Sequence, residues 1–253
     1  MHPDERRREL VDLINENHGC SVDEMAASLD VSEATIRRDL RALEEENVIK
    51  RTHGGAMPLV DQRRPYNRRL ISNLEEKEAI AQRAVTEIHR DQIVYFDAGT
   101  TTLQIAKQIG DGREIVAVTN GAENAIELAD KVKRVHFAGG LFWGENNSVV
   151  GPWTEERITS LNYDLLFLGT EGIDAEGLTT QNVQQSSIKA RMIESSRRVV
   201  LVADSTKFDE EHFVRFAEPD DIDVLLTDGA IPDDIREAYD ASGVQLVGDL
   251  GSG

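Results

Sequence analysis

Cations cluster in one short stretch of an acidic chain. Arg37, Arg38, Arg41, Lys50 and Arg51 lie within residues 32–56, SEATIRRDLRALEEENVIKRTHGGA, while the 253 residues together carry a net charge of -19. Guanidinium groups pair with phosphate oxygens or with the edge of guanine, so this stretch has the chemistry needed to bind a nucleic acid. Because salt screens charges over about 8–10 Å, a local cationic patch can act on a body that is acidic elsewhere.

The acidity is unevenly distributed along the chain. Residues 1–70 contain 12 basic and 14 acidic residues, a net of -2, and the remainder contains 16 basic and 33 acidic residues, a net of -17. A polyanion could therefore approach the amino-terminal segment most easily. Only 7 of the 28 basic residues are lysines. This acidic, lysine-poor composition leads to the hypothesis of a halophilic source, which equal folding in dilute buffer and in molar KCl would contradict.

The spacing of apolar residues predicts three short amphipathic helices before residue 46. Ser21 and Glu24 have the spacing of a capping box, and Ser32 stands where an N-cap would begin the third helix. Only the tight turn of residues 30–32 separates the second helix from the third. The apolar positions that recur at helical spacing are Leu10, Leu13, Ile14, Val22, Met25, Ala26, Leu29, Ile36, Leu40 and Leu43.

The third of these helices has an apolar face and a cationic face. Its three arginines fall opposite the apolar side on a wheel that advances about 100° per residue. Residues 47–56 then predict a small basic hairpin with paired glycines. Together these features predict a winged helix-turn-helix domain over residues 1–57, which inserts its third helix into the major groove of DNA. The predicted DNA-binding residues are Ser32, Thr35, Arg37, Arg38, Arg41, Lys50, Arg51 and His53.

A simpler alternative is that the arginines form a solvated face. In that case they would pair with the carboxylates that share or follow the helix, which are Glu33, Asp39, Glu44 and Glu45. The combination of three helices, a tight turn and a basic hairpin favours DNA binding over this alternative.

The segment TIRRDLRALEEENVIKRTHGGA resembles the amino-terminal hallmark of the DeoR family of bacterial and archaeal repressors. The resemblance implies a transcription factor, usually a repressor of sugar or polyol catabolism, that binds operators as an oligomer. It also implies recognition by Thr35, Arg37, Arg38 and Arg41, with Arg51 and His53 on the wing.

Beyond a predicted linker of residues 58–74, short apolar runs alternate with helical patterns over residues 75–253. Unbroken apolar strands separated by helices predict an α/β domain with a mostly parallel sheet covered on both faces. Ligands bind such sheets beyond the carboxyl ends of the strands. The runs are IVYF at 93–96, IVAV at 115–118, RVHF at 134–137, DLLFLG at 164–169, RVVLVA at 198–203, DVLLTD at 223–228 and VQLV at 244–247.

Polar residues follow several of these strands. After the first run, a glycine and three threonines begin a helix, where backbone N–H groups could hold a phosphate, although such threonines often serve simply as caps. Carboxylates and amides at other strand ends suit sugar hydroxyls, and Lys207 offers a positive charge; alternatively, Asp204 caps the next turn and Lys207 is a surface residue. The predicted effector-binding residues are Asp97, Gly99, Thr100, Thr101, Thr102, Thr119, Asn120, Asp174, Asp204 and Lys207.

The segments DAGTTT, GIDAEG and DSTKF resemble the sensor domain of DeoR regulators, which is itself similar to ribose-5-phosphate isomerase. The resemblance implies that residues 99–102 hold a phosphate, that Asp97 and Asp174 meet hydroxyls and that Lys207 completes the charge match. The segment TTQNVQQSSIK departs from the family pattern, since many relatives place a glutamate near Gln184 or Gln185.

These patterns are compatible with more than one function. The preferred one is a repressor that is relieved by a phosphorylated sugar or polyol, with an activator or dual regulator as the alternative within that class. A sugar-phosphate isomerase needs a base beside the substrate carbon, and Gln184 and Gln185 offer none, so we expect no catalytic residues. The 6 scattered histidines and single cysteine predict no metal and no cofactor.

The expected setting follows from hydropathy and from the family resemblance. No apolar run approaches the roughly 20 residues of a membrane span, and no apolar segment follows the basic amino terminus. We therefore expect a cytoplasmic protein that does not contact membranes. We also expect a homodimer or homotetramer that binds double-stranded operator DNA.

Overall fold

The computed structural model describes residues 3–17, 19–45, 49–52, 54–58 and 65–250. The chain divides into two compact units, residues 1–71 and 72–253. Residue His53, which the sequence predicts to lie on the wing, falls outside the described residues.

The first unit contains helices α1 to α4 and a small antiparallel sheet of strands β1 to β3, in the order β1-β3-β2. Apolar side chains from the first three helices and from β2 and β3 form its core, as the helical spacing predicts. Its elements are α1 Pro3–Glu16, β1 Cys20–Ser21, α2 Val22–Leu29, α3 Glu33–Glu45, β2 Ile49–Arg51, β3 Gly55–Pro58 and α4 Pro65–Ile71.

Local sequence accounts for where the first helices begin. Ser21 and Glu24 form the predicted capping box at the start of α2. Asp30 ends α2 in the left-handed conformation, at φ 50°. The hydroxyl of Ser32 accepts a hydrogen bond from the backbone N–H of Thr35 at 3.3 Å, so Ser32 caps α3 as predicted.

The stretch predicted as a linker contains helical residues. Pro65 begins α4, a position that suits its fixed φ and missing N–H, and the ring of Tyr66 is buried. The next helix, α5, begins at Leu74. The domain boundaries at residues 57 and 75 stay predictions.

The second unit is built on a sheet of seven parallel strands in the order β15-β14-β12-β9-β4-β5-β6. Each of these strands overlaps one of the seven apolar runs, so the mostly parallel α/β domain is confirmed. The elements are α5 Leu74–Ala84, β4 Ile93–Phe96, α6 Thr100–Gln108, β5 Arg113–Thr119, α7 Ala122–Leu128, β6 Val132–Phe137, β7 Leu141–Trp143, β8 Ser148–Val150, α8 Pro152–Thr159, β9 Leu165–Leu168, β10 Gly172–Asp174, β11 Gly177–Thr180, α9 Val183–Glu194, β12 Val199–Val202, β13 Val214–Ala217, β14 Val224–Leu226, α10 Asp233–Ala241 and β15 Gln245–Val247.

Apolar side chains cover both faces of the sheet. Alternate residues of β4 belong to two different core clusters, with Tyr95 in one and Val94 and Phe96 in the other. This arrangement is what unbroken apolar strands require. Strands β7 and β8 form a hairpin, and strands β10, β11 and β13 form a second small antiparallel sheet. Among helices of the described ranges, none has the length and apolar character needed to cross a bilayer.

The strand order reverses beside β4. The chain moves from β4 through β5 to β6 and then returns to β9, on the other side of β4. Helices at such a reversal leave a crevice beyond the carboxyl ends of the two central strands, and ligands of open parallel sheets bind there. In this fold the crevice begins at the residues that follow β4 and β9.

Candidate functional site

The third helix of the first unit is held in place by a buried carboxylate. Asp39 is 2% exposed, and its Oδ2 accepts a hydrogen bond from Nε of Arg6 at 2.6 Å, while its Oδ1 lies 3.5 Å from Nε of Arg7. Asp39 also raises the pKa of the Arg6 guanidinium through that hydrogen bond. Helix α1 is thereby tied to the buried side of α3, which fixes the direction of the opposite side.

The opposite side of α3 presents its arginines to solvent. Arg37 is exposed and forms an ion pair with Glu33 at 3.1 Å, one turn earlier. Arg38 and Arg41 are also exposed, and neither forms an ion pair within the part of the chain that the structure describes. The solvated-face alternative thus describes Arg37, whereas Arg38 and Arg41 keep their guanidinium groups available for a phosphate or a base edge.

The predicted wing is a short antiparallel pair of strands. Lys50 on β2 is exposed, and Arg51 contacts Glu44 of α3 through its backbone N–H at 3.1 Å and its Nη1 at 3.5 Å. Gly55 is required at its position, because a Cβ there would lie 2.1 Å from the carbonyl oxygen of Cys20. The carbonyl of Gly54 accepts a hydrogen bond from the N–H of Val22 at 2.9 Å.

In the second unit, the crevice beside β4 holds a buried ion pair. Asp97 follows β4 and is 2% exposed, and Lys189 of α9 is 6% exposed. The ammonium group of Lys189 contacts Oδ2 of Asp97 and donates to the carbonyl of Gly169 at 2.8 Å. Oδ2 also accepts a hydrogen bond from the N–H of Gly169 at 3.0 Å. Because Gly169 follows β9, the pair lies where the strand order reverses.

A recess opens beside this ion pair, and we call it the Asp97 recess. It is lined by polar and apolar side chains from the ends of β4 and β5, from the hairpin of β7 and β8, and from α9. The lining residues are Asp97, Asn120, Asn146, Ser148, Val150, Gln185, Ile188 and Lys189. Carboxylate, ammonium, amide and hydroxyl groups are thus brought together in one place.

Several of the predicted effector residues hold the backbone at the edge of this crevice by hydrogen bonds. The hydroxyl of Thr102 donates to the carbonyl of Asp97 at 2.6 Å, and the hydroxyl of Thr119 donates to the carbonyl of Phe96 at 2.7 Å. Asn120 accepts from the N–H of Ala98 at 3.1 Å. These bonds fix the backbone after β4, so Thr102 and Thr119 use their hydroxyls within the protein.

The start of α6 lies immediately beyond Asp97. Gly99 is the N-cap residue, Thr100 is buried and Thr101 is half-buried. The N–H groups at such a helix start can donate hydrogen bonds to an anion. None of these three residues lines the Asp97 recess, so a phosphate bound at the start of α6 would lie beside it.

The remaining predicted residues lie at other strand ends. Asp204, two strands from Asp97 in the sheet order, accepts a hydrogen bond from Asn73 at 3.0 Å and one from Thr206. Lys207 is half-buried, and its side chain contacts no charged or hydrogen-bonding group within the described residues. Neither Asp204 nor Lys207 lines the Asp97 recess.

Asp174 at the end of β10 is engaged by another side chain. Arg215 of β13 donates to both of its carboxylate oxygens, at 2.6 and 3.1 Å. Burial opposes ionisation of Asp174, but the bonds from Arg215 and from the N–H groups of Glu176 and Gly177 outweigh it and lower the pKa of the carboxyl. Asp174 is therefore charged at neutral pH and already paired.

Sequence reasoning missed the residues that complete the recess. Lys189 shares a helical face with the buried Ile188 and Met192, and a lysine at such a position is an indication of a buried charge. Asn124 was also missed, and it donates to the carbonyl of Asp97 at 2.8 Å. Ser148 gave no comparable indication, because it lies on a hairpin of short strands that the apolar pattern does not reveal.

The described residues contain no group of three or more His, Cys, Asp and Glu side chains arranged to bind a metal ion.

Comparisons with known proteins cover both units. A model of the DeoR-like helix-turn-helix domain matches residues 6–61, and a model of the DeoR C terminal sensor domain matches residues 72–229. Among solved structures, ribose 5-phosphate isomerase from Methanocaldococcus jannaschii aligns with 54% of this chain and 55% of its own, with a TM-score of 0.39 and 13% identity.

Curated relatives are similar over nearly their whole length. The HTH-type transcriptional regulator GlpR of Haloferax volcanii is 43% identical over 98% of both chains. The HTH-type transcriptional repressor GlcR of Bacillus subtilis is 32% identical over 98% of this chain and 96% of its own. The transcriptional repressor AccR of Agrobacterium fabrum is 32% identical over 93% of this chain and 96% of its own.

Proposed function

Because the chain belongs to the DeoR family of transcriptional regulators, we propose that it represses genes of sugar or polyol catabolism until a phosphorylated effector binds. Two of the relatives are named as repressors, which favours repression over activation. The observation that carries the DNA-binding part is the exposure of Arg38 and Arg41 on a helix whose other side is fixed by Asp39.

DNA recognition is assigned to the exposed face of α3 and to the wing. Arg38 and Arg41 would contact phosphates or guanine edges in the major groove, and Ser32 and Thr35 at the helix start would contact the backbone or a base. Arg37 would join them once it leaves Glu33, since an exposed ion pair contributes little energy. Lys50, Arg51 and His53 would lie along the neighbouring phosphates.

Effector binding is assigned to the carboxyl edge of the parallel sheet. A phosphate would be held by the start of α6, from Gly99 to Thr101, with Lys207 adding positive charge, and hydroxyl groups would be met by Asp97 and Asn120. In this assignment Thr102, Thr119, Asp174 and Asp204 shape the edge of the site through the bonds they make within the protein.

The effector releases DNA only if it binds the two states of the protein with different affinity. We propose a homodimer or homotetramer in the cytoplasm whose two DNA-binding units contact half-sites about one helical turn, or a multiple of it, apart. The effector-bound arrangement would no longer match that spacing. Relatives over the whole length are transcriptional regulators, and this chain is a regulator rather than an enzyme.

Fluorescence anisotropy tests this function. A labelled duplex, selected from a random library by the full-length protein, is titrated with protein and then with fructose 1-phosphate, glycerol 3-phosphate or deoxyribose 5-phosphate. We expect one of these to release the duplex and inorganic phosphate to leave it bound. Retention of the duplex with all three would contradict relief by these effectors, and transcription in vitro separates a repressor from an activator.

Salt is a variable in the same experiment. The net charge of -19 and the scarcity of lysine keep the halophilic source as a hypothesis. Titrations and thermal melts in dilute buffer and in molar KCl test it, and we expect a higher Tm in KCl. An acidic protein takes up cations as it approaches DNA, so we also expect a weaker decline of affinity with salt than the usual release of counterions gives.

A further inference from the structure

Three polar groups of the Asp97 recess have hydrogen-bonding capacity that the described residues leave unused. Both hydrogen bonds to the Asp97 side chain end on Oδ2, so Oδ1 has no donor. Lys189 has three N–H donors, of which two bond to Asp97 and Gly169, and its ammonium group also lies 5.6 Å from the centre of the Phe216 ring. The hydroxyl of Ser148, a residue that is 1% exposed, has no hydrogen-bond partner.

Each of these features is unfavourable for stability alone. A buried ion pair loses much of its Coulombic gain to desolvation, so stability does not explain the placement of Asp97 and Lys189. A buried hydroxyl without a partner costs free energy that an alanine would avoid. Their convergence on one recess is explained if a ligand hydroxyl, or the water molecule that it displaces, supplies the missing partners.

The recess also restricts the kind of ligand that it can accept, because its volume of about 10 Å³ admits one hydroxyl group or one water molecule and not a whole sugar. The charges of Asp97 and Lys189 cancel, and the other polar groups of its lining are two asparagines, a glutamine and a serine, all neutral. A phosphate would meet the free Oδ1 of Asp97 and would be repelled. A hydroxyl group can donate to that oxygen and accept from the third N–H of Lys189, so its two capacities match those of the ion pair.

We propose that Lys189, Ser148 and Asp97 form a subsite that binds one hydroxyl group of the effector. This inference rests on the proposed function, and it assigns one hydroxyl of the effector to the Asp97 recess and leaves the phosphate outside. Lys189 acts as a hydroxyl donor held in place by Asp97 and Gly169. Ser148 supplies a bond that is absent without ligand, so it contributes to affinity and not to folding.

Gln185 limits the charge of this subsite. The hydroxyl of Thr180 donates to the carboxylate of Glu171 at 2.7 Å and lies 3.3 Å from Oε1 of Gln185. The shorter contact shows that Glu171 is the main acceptor of the Thr180 hydrogen. A neutral amide at this position keeps a second carboxylate away from the recess.

The decisive variant is Ser148→Ala in the full-length protein, and its matched control is Thr227→Val. Thr227 is also fully buried with an unpartnered hydroxyl, but it follows β14, three strands away from β4, and does not line the recess. We expect Ser148→Ala to raise the Kd of the effector by about 3- to 10-fold, the size of one lost hydrogen bond. The Tm without ligand should be unchanged or higher in both variants.

The ligand pair that isolates the hydroxyl groups is glycerol 3-phosphate and propyl phosphate. These share a three-carbon chain and a phosphate, but only the first carries hydroxyls. Isothermal titration should show that Ser148→Ala lowers the affinity for the hydroxylated ligand that the wild type binds, whether glycerol 3-phosphate, fructose 1-phosphate or deoxyribose 5-phosphate. The affinities for propyl phosphate and inorganic phosphate should stay unchanged. Thr227→Val should bind every ligand as the wild type does.

A second variant tests the ion pair without leaving a buried charge. Asp97→Asn combined with Lys189→Gln keeps a neutral hydrogen-bonding pair and removes the charge assistance. We expect it to raise the Kd of hydroxylated ligands by about 10- to 100-fold. Near-ultraviolet circular dichroism checks that the sheet remains folded.

The outcomes separate this subsite from the proposed function. If a sugar phosphate releases operator DNA from the wild type while both variants keep the wild-type Kd, the subsite is wrong and the repressor function stands. If hydroxylated ligands bind in a Ser148-dependent manner and the operator stays bound, the subsite stands and effector relief is wrong. Absence of binding by every hydroxylated ligand at 10 mM, about the upper limit of weak affinities, also overturns the subsite.

Discussion

The two units of the chain each contain a buried carboxylate that is paired with a cation, and the two carboxylates differ in what they leave unused. Asp39 engages both oxygens, one with Arg6 and one with Arg7, and ties two helices together. Asp97 engages only Oδ2, with Lys189 and Gly169, and its side chain lines a recess. Burial of an ion pair is common to both, whereas only Asp97 has an oxygen with neither an ion pair nor a hydrogen bond among the described residues.

The two units also differ in where the functional groups lie relative to the buried carboxylate. In the first unit, the functional cations are on the opposite side of α3, in water, and the buried pair only sets their direction. In the second unit, the buried pair is itself part of the proposed binding surface. In the exposed site, a buried ion pair orients the helix that carries the binding residues. In the enclosed site, the buried ion pair supplies the binding groups directly.

The largest effects are expected from truncating the carboxylates. Asp39→Ala and Asp97→Ala each leave a largely buried cation without its partner, which costs about 3–5 kcal/mol of unfolding free energy. Urea unfolding followed by circular dichroism measures the loss. Glu33→Ala, which breaks the exposed pair with Arg37, is the control and should change stability by less than about 0.5 kcal/mol. If Asp39→Ala were as stable as the wild type, the first unit would not depend on its buried ion pair, and the comparison between the two units would fail.

A smaller effect, on binding instead of folding, is expected for the exposed arginines. Arg38→Ala and Arg41→Ala should each weaken operator binding by about 1–3 kcal/mol and leave stability and effector affinity unchanged. Anisotropy titrations measure the change. Arg90→Ala is the control, since Arg90 is an exposed arginine of the second unit with only long contacts, at 3.7 and 3.9 Å, to carboxylates. Wild-type operator affinity of Arg38→Ala would contradict the assignment of α3.

Gln185→Glu tests whether the neutrality of the Asp97 recess matters, because it adds a carboxylate to the second unit and leaves the first unit unchanged. The new charge would line the same recess as Asp97 and would replace a neutral amide, so we expect weaker binding of phosphorylated ligands by about 1 kcal/mol. Unphosphorylated polyols should lose less affinity, since they carry no charge. Competition titrations with glycerol and glycerol 3-phosphate measure the difference. Stronger binding of the phosphorylated ligand would show that the recess does not depend on neutrality.

The smallest effect is expected at the pair of Asp174 and Arg215, which is partly exposed. The pKa of Asp174 is lowered in the folded protein, so its contribution to stability is present above about pH 4, the unfolded value, and is lost as the pH falls through the lowered folded value. Arg215→Ala should therefore cost up to about 1 kcal/mol at pH 7 and progressively less as the pH falls below about 4. Chemical unfolding over a series of pH values tests this, and a pH-independent loss would contradict it.

Much of the fold could be predicted because its signals are local. The seven strands of the parallel sheet are continuous apolar runs, and the helices of the first unit have apolar residues at regular spacing. Strands β7, β8, β10, β11 and β13 were not predicted. They contain three or four residues each and depend on pairing partners, so neither alternation nor length marks them.

The candidate site was predictable only where a single segment carries it. Arg38 and Arg41 are identified by their angle to Ile36 on one helix. Lys189 lies 92 residues from Asp97 in the sequence, and its partner is decided by the strand order, which apolar runs do not specify. Thr102 and Thr119 were predicted as effector residues from their positions after strands, but position does not indicate that their hydroxyls bond to the backbone.

The crowding at Gly55 has a consequence for anyone who wishes to redirect this protein to a new promoter. Positions 38 and 41 are exposed on their helix and can be randomised together, whereas position 55 admits no side chain, since even a methyl group would collide with the carbonyl of Cys20. A combinatorial library should therefore keep glycine at position 55 and vary only the exposed positions of the helix.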